Sequence, residues 1–200
     1  MMGRLRAMRE PLKYVQGRDA LLQFQKEMGY MGKRWLFICS RSGYKAAHDK
    51  IEKSFGTSDD YRRYEVFGGI SSHSEIDKMK EIVEKDQIDA VVGVGGGSAV
   101  DTAKATAYYT GKHVVVVPTV AATDAPCTGL SVIYNDDHSF DKYLFYPTNP
   151  DAVMVDTTVI ANAPVKFLIA GMGDALGTYF EGRASVRTES ASLEGTGITR

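Results

Sequence analysis

The stretch Ala90 to Lys104, AVVGVGGGSAVDTAK, constrains the chain most, because it passes from an apolar run through three consecutive glycines into a helical pattern. Ala90, Val91, Val92 and Val94 are short and mostly β-branched, with no polar alternation, as expected of a strand covered on both faces in a parallel sheet. Gly95, Gly96 and Gly97 remove every Cβ at the turn, which permits positive φ and lets a ligand approach bare backbone N–H groups. Ser98 reads as an N-cap, and Asp101 three residues later has the spacing of a capping box. A phosphate is the natural occupant of such a helix start, and a glycine-rich βα turn without a ligand is the alternative reading. The Rossmann fingerprint is not met: its third glycine falls at Ser98, and the turn lies mid-chain instead of after the first strand.

The remaining chain supplies the context for that turn. Trp35 to Cys39, Tyr64 to Phe67, Val114 to Val117 and Ala152 to Asp156 read as strands, with Tyr14 to Gly17 as a short edge strand. Between them, Leu21 to Met28, Tyr44 to Phe55 and the run opened by Ser71 to Glu75 have helical spacing, and Ser40 to Gly43 reads as a loop. Strands alternating with helices predict an α/β fold with a parallel sheet and helices on both faces. Ligands of such sheets bind beyond the carboxyl ends of the strands, where the loops Gly95 to Ser98 and Pro118 to Pro126 lie. LSVIY and KYLFY, separated by NDDHSFD, predict a hairpin standing on that unit. Ala163-Pro164 opens a long helical stretch, so residues 1–162 form the α/β domain and 163–200 the start of a helical one.

A formal net charge of −1 with interspersed signs points away from nucleic acid and anionic membranes and toward a small-molecule partner. The two cysteines, Cys39 and Cys127, are too few for a disulfide framework, and Cys39 reads as a small core residue. No run has the length of a membrane span and the N-terminus lacks an apolar signal-peptide region, so a cytoplasmic protein is expected.

GGGSAVDTAKA followed by VPTVAATDAPCTGLSVIY, YPTNPDAVMVD and AGMGDALGTYFEGRAS resembles the glycerol dehydrogenase branch of the metal-dependent, iron-containing-type (group III) alcohol dehydrogenases, over roughly Tyr14 to Ser185. The resemblance implies a dehydroquinate synthase-like nucleotide-binding domain joined to an all-helical domain. It also implies NAD-dependent oxidation of glycerol to dihydroxyacetone, with zinc or another divalent metal in the cleft between the domains and a homo-oligomer for the full-length enzyme. Carried over by motif, Gly95, Gly96, Gly97 and Ser98 match the pyrophosphate turn, with Ser98 where many relatives have lysine. Ser40, Thr119, Ala122, Thr128, Leu130 and Tyr134 match cofactor-lining positions, with Ala122 where serine is common. Asp124, in TDAP, matches a residue that contacts the substrate hydroxyls, and Asp174, in GMGD, matches the metal-binding aspartate.

Two departures stand out. Relatives commonly place an aspartate after the first buried strand, whereas this chain has Ser40 followed by Arg41, which predicts weaker discrimination against NADP. The family's two histidine ligands lie in the helical domain, and His48, His73, His113 and His138 read as ordinary exposed residues. The chain therefore reads as a fragment of a longer enzyme. Small or apolar neighbours, Gly171, Met172, Gly173, Ala175 and Leu176, predict a tight interior around Asp174 that needs a compensating cation. Rival readings are another enzyme on the same fold, glycerol-1-phosphate dehydrogenase or a dehydroquinate synthase-like lyase, and a non-catalytic nucleotide-binding module.

Overall fold

The computed structural model describes residues 9–190. The apolar runs form strands β1 (Lys13–Gly17), β2 (Arg34–Cys39), β3 (Tyr61–Val66), β4 (Ala90–Gly95), β5 (His113–Pro118) and β8 (Ala152–Asp156). These pair in parallel in the order β1-β8-β5-β4-β2-β3. The two sheet faces divide each strand by residue parity. Trp35, Phe37 and Cys39 of β2 join Val92 and Val94 of β4 under Ala47, Ile51 and Phe55 of helix α2 (Arg41–Phe55). Leu36, Ile38 and Val91 point the other way, toward helices α3 (His73–Lys85) and α4 (Gly97–Thr110). The small side chains of Ala99, Ala103 and Ala107 set α4 close on β4, where a Cβ built on Gly93 would lie 2.8 Å from that of Ala103.

Near the N-terminus, α1 (Phe24–Met28) is a short helix set between 3₁₀ turns at Ala20–Gln23 and Gly29–Met31. Strands β6 (Leu130–Tyr134) and β7 (Phe140–Phe145) form the expected antiparallel hairpin. Helix α5 (Thr157–Ala161), which the sequence reading does not contain, starts directly at the end of β8 because the Asp156 carboxylate accepts from Thr158 N and Val159 N. Helix α6 (Val165–Thr188) follows Pro164, and none of its residues is buried. No helix among the described residues is long and apolar enough to cross a membrane.

Three local expectations are corrected. Ser40 to Gly43 is not a loop: Ser40 is the N-cap of α2, its Oγ accepting from Gly43 N at 3.0 Å, so the helix begins three residues before the apolar spacing announces it. Ser98 is not an N-cap. Gly96 holds that position with no side-chain hydrogen bond, and α4 starts at Gly97. Asp101 consequently sits more than a turn inside the helix and forms no capping box. It faces the hairpin, where Oδ2 accepts from Val132 N at 3.1 Å.

Cys39 is buried, and loss of hydration pushes its thiol up to about 12, so it stays neutral across the ordinary working range. Cys127 is only half-buried, although burial raises its thiol too. In the native chain at pH 8, alkylation with iodoacetamide is expected to modify Cys127 alone, and both cysteines only after denaturation. Peptide mass analysis checks this, and early labelling of Cys39 overturns the placement of β2 in the core.

Candidate active-site cleft

The helices that follow β2 and β4 cover opposite faces of the sheet, α2 on one and α4 on the other, so the chain parts at the carboxyl ends of two adjacent strands. Such a switch point leaves a crevice. The register puts every exit on one edge: Cys39 is level with Val94, and Gly95 with Pro118. Ser40 N donates to Val94 O at 3.0 Å and Thr119 N to Gly95 O at 3.0 Å, which carries the ladder one step past each strand.

A cleft of about 800 Å³ opens there. Its walls are the segments that leave the strands: Ser40 to Ser42 after β2, Phe67 to Gly69 after β3, Gly96 to Ala99 after β4, Thr119 and Val120 after β5, and Thr158 to Pro164 after β8. Phe167 at the start of α6 closes one side. The three consecutive glycines have different duties. Gly95 has φ +154°, and a Cβ there would meet Ser40 Oγ at 2.7 Å and Ala99 Cβ at 2.9 Å, so it is required by the packing of the turn itself. At Gly97 a Cβ would meet nothing nearer than Thr123 Cγ2 at 4.0 Å, so that missing side chain leaves space in the cleft and not in the core. With Gly96 as N-cap, the first turn of α4 presents its N–H groups where the cleft is open.

Of the residues carried over as cofactor-lining, Ser40, Gly96, Gly97, Ser98 and Thr119 line this cleft, whereas Gly95, Ala122, Thr128, Leu130 and Tyr134 do not. Gly95 lies buried behind the turn. Ala122 lies where α6 crosses the loop after β5: a Cβ on Gly171 would fall 2.2 Å from Ala121 O and 3.4 Å from Ala122 C. Thr128 and Leu130 belong to the connection into the hairpin, and Tyr134 N donates to Ser71 O beside α3. Arg41, already marked by its place after Ser40, lines the cleft, as do Lys50, Asn162 and Phe167, which no motif marks: Lys50 lies more than two turns into α2, Asn162 ends α5 and Phe167 lies in the first turn of α6.

Asp124 and Asp174, fifty positions apart, are brought together: Asp124 N donates to Asp174 Oδ2 at 3.2 Å. The close crossing at Gly171 makes this possible. The predicted tight interior around Asp174 is not found, because it is exposed, as are Met172, Gly173, Ala175 and Leu176 beside it. At the crossing α6 meets the loop at Gly171 and Asp174, and none of its residues is buried. Among the described residues no group of three or more His, Cys, Asp and Glu side chains is placed to hold a metal ion. His73 pairs with Asp141, His113 with Asp151 and His48 with Asp49, and His138 occupies a left-handed turn position. These residues alone therefore do not compose a metal centre.

The segment carrying Asp124 is anchored from beneath by Lys104. Its buried ammonium donates to Ala125 O at 3.0 Å, to Thr128 O at 3.4 Å and to Leu130 O, and lies 3.1 Å from Asp101 Oδ1 as an ion pair. Burial pushes the Asp101 carboxyl up and the Lys104 ammonium down from their ordinary values, and the charge of each opposes the shift of the other. A second network closes the far wall. Asp156 is fully buried, accepts from Leu21 N at 3.2 Å and pairs with Lys50 at 3.0 Å, while Lys50 also reaches Asp19 at 2.8 Å.

Residues 11–157 match the family described as iron-containing alcohol dehydrogenase. The chain is 42% identical over 195 residues to a glycerol dehydrogenase of Escherichia coli O6:H1, covering 98% of this chain and 53% of that protein. It is 43% identical over 187 residues to one of Thermotoga maritima, covering 92% and 50%. The crystal structure of a probable glycerol dehydrogenase from Sinorhizobium meliloti 1021 superposes with a TM-score of 0.86 at 36% identity, over 98% of this chain and 53% of that one. The glycerol dehydrogenase of Schizosaccharomyces pombe gives a TM-score of 0.84 at 36% identity, over 98% and 50%. The chain thus spans about half the length of the curated relatives it matches. With the family model matching residues 11–157 and relatives 42–43% identical over more than nine-tenths of its length, the chain belongs to the iron-containing alcohol dehydrogenase family.

Proposed function

We propose that this chain is the dinucleotide-binding part of an NAD-dependent glycerol dehydrogenase, the pyrophosphate of NAD lying on the first turn of α4. The observation that carries the reading is the open space above Gly97 at a helix start, in a cleft at the switch point of the sheet. The identity to glycerol dehydrogenases of two bacteria supports the choice of polyol.

Oxidation of glycerol to dihydroxyacetone moves a hydride from the central carbon to the nicotinamide and releases the hydroxyl proton; NAD supplies the hydride acceptor. The chain's part is position and field. Backbone N–H groups of Gly97 and Ser98 hold the pyrophosphate, the Ser98 hydroxyl adds a donor, and the Thr119 segment borders the cofactor. Asp124 accepts from the substrate hydroxyls, and its contact with Asp174 fixes where α6 meets the substrate loop. Zinc, or another divalent ion, belongs to this reading as a group that Asp174 helps to hold, its further ligands lying outside the described residues. The complete enzyme is proposed to be a homo-oligomer.

Gly97→Val tests the reading. A Cβ there lies in the cleft, 4.0 Å from Thr123 Cγ2 as its nearest neighbour, so the fold is expected to persist while NAD affinity falls at least about tenfold, some 1.4 kcal/mol. Fluorescence titration with NADH beside a far-UV circular dichroism spectrum measures both. Undiminished affinity in the folded variant shows that the turn is structural only.

A further inference from the structure

We propose that the cleft accepts NADP as well as NAD, with Arg41 recognising the phosphate on the adenosine 2′-oxygen. The inference rests on the dinucleotide reading above and adds which dinucleotides the site admits. Its basis is the charge inventory of the walls. Aspartate and glutamate are absent from the described residues that line the cleft, and two cations, Arg41 and Lys50, are present. Lys50 is already neutralised, with its ammonium 2.8 Å from Asp19 Oδ1 and 3.0 Å from Asp156 Oδ2. Arg41 is exposed and makes no ion pair or hydrogen bond with any described residue. The unbalanced charge of the cleft is therefore a single guanidinium with all its donors free.

Its location suits the adenosine end of a dinucleotide. Arg41 opens α2 immediately after Ser40, whose N–H donates to the carbonyl of Val94, the residue of β4 just before the glycines. A pyrophosphate on α4 thus has the start of α2 as its neighbour across the switch point. Dinucleotide sites selective for NAD place a carboxylate against the ribose, where it accepts from the 2′-hydroxyl and repels a 2′-phosphate, and sites for NADP place an arginine there. Here the position after β2 carries the Ser40 hydroxyl, already engaged with Gly43 N, and then the arginine. A guanidinium binds phosphate through two parallel charge-assisted hydrogen bonds, and the Ser42 hydroxyl beside it in the wall offers another donor.

Isothermal titration of the 200-residue chain with NAD and NADP separately reads the inference. Dissociation constants for the two dinucleotides are expected to agree within about tenfold, or 1.4 kcal/mol. Arg41→Ala is expected to weaken NADP at least about tenfold relative to NAD, the loss of hydrogen bonds to a charged group. Ser40→Asp keeps an N-cap acceptor for α2 and is expected to shift the ratio in the same direction by repulsion. NADP bound more than about tenfold more weakly than NAD by the parent chain overturns the inference alone, as does a ratio that the folded Arg41→Ala variant leaves unmoved. Binding of neither dinucleotide overturns the cofactor reading of the cleft, and the inference falls with it.

Discussion

Lys104→Ala is expected to cost about 3–5 kcal/mol of folding stability, the range found when one member of a buried ion pair is removed. The substitution strands the Asp101 carboxylate, which is 7% exposed, beside the hairpin and removes the donor shared by Ala125 O, Thr128 O and Leu130 O. Those carbonyls belong to the segment that follows Asp124, so the loss reaches the site as well as the fold. The midpoint of urea unfolding, followed by circular dichroism, measures the effect. The double variant Lys104→Met with Asp101→Leu is expected to recover part of the loss, because it removes the stranded charge but leaves Val132 N and the three carbonyls without their partners. A single variant less than about 1 kcal/mol down would mean that the pair and its carbonyl contacts are not a buried unit.

The second large effect concerns the chain as a whole. Leu168, Ile169, Met172, Leu176, Tyr179 and Phe180 are each about half or more exposed on α6, a contiguous apolar helix surface of the kind that drives association. A catalytic zinc site uses three protein ligands and an exchangeable position, and Asp174 offers one carboxylate. The purified 200-residue chain is therefore expected to self-associate, to hold no stoichiometric zinc and to make no NADH from glycerol, while keeping affinity for dinucleotide. Light scattering, elemental analysis and absorbance at 340 nm test the three in turn. A chain extended to the length of the glycerol dehydrogenase relatives is expected to lose the association and gain both zinc and activity. Stoichiometric zinc with glycerol-dependent NADH from the 200-residue chain overturns this, and directs the search for ligands to His48, His73, His113 and His138.

The strands were legible because their residues meet apolar surroundings on both faces, as Trp35 to Cys39 and Val114 to Val117 do, and no other element tolerates such runs between charged helices. The start of α3 within the run Ser71 to Glu75 was legible for a local reason: the Ser72 hydroxyl caps the helix through Glu75 N, three residues on. Where the cap is a glycine the signal disappears. Gly96 starts α4 through backbone alone, so Ser98 attracted the assignment and Asp101 was drawn into a box that does not exist. The role of Asp101 and Lys104 depends on a hairpin arriving from thirty residues downstream, which no local spacing encodes. Their i,i+3 spacing among alanines was the available hint. At Asp174 the expectation fails for the opposite reason: small neighbours suggest an interior, but burial needs an element on the other side, and among the described residues of α6 none is buried.

The buried carboxylate of Asp156 has a consequence for how the chain is made. It ties the end of β8 to Leu21, 135 residues earlier, and β1 finds its partner in β8 across a slightly longer separation, Lys13 lying level with Ala152. Contacts that distant raise the contact order of the domain and slow its folding. On the ribosome, β1 emerges with its hydrogen-bonding edge unmet and keeps it so until residues 152–156 have been synthesised, so the earliest strand of the described residues is the last one able to take its place in the sheet.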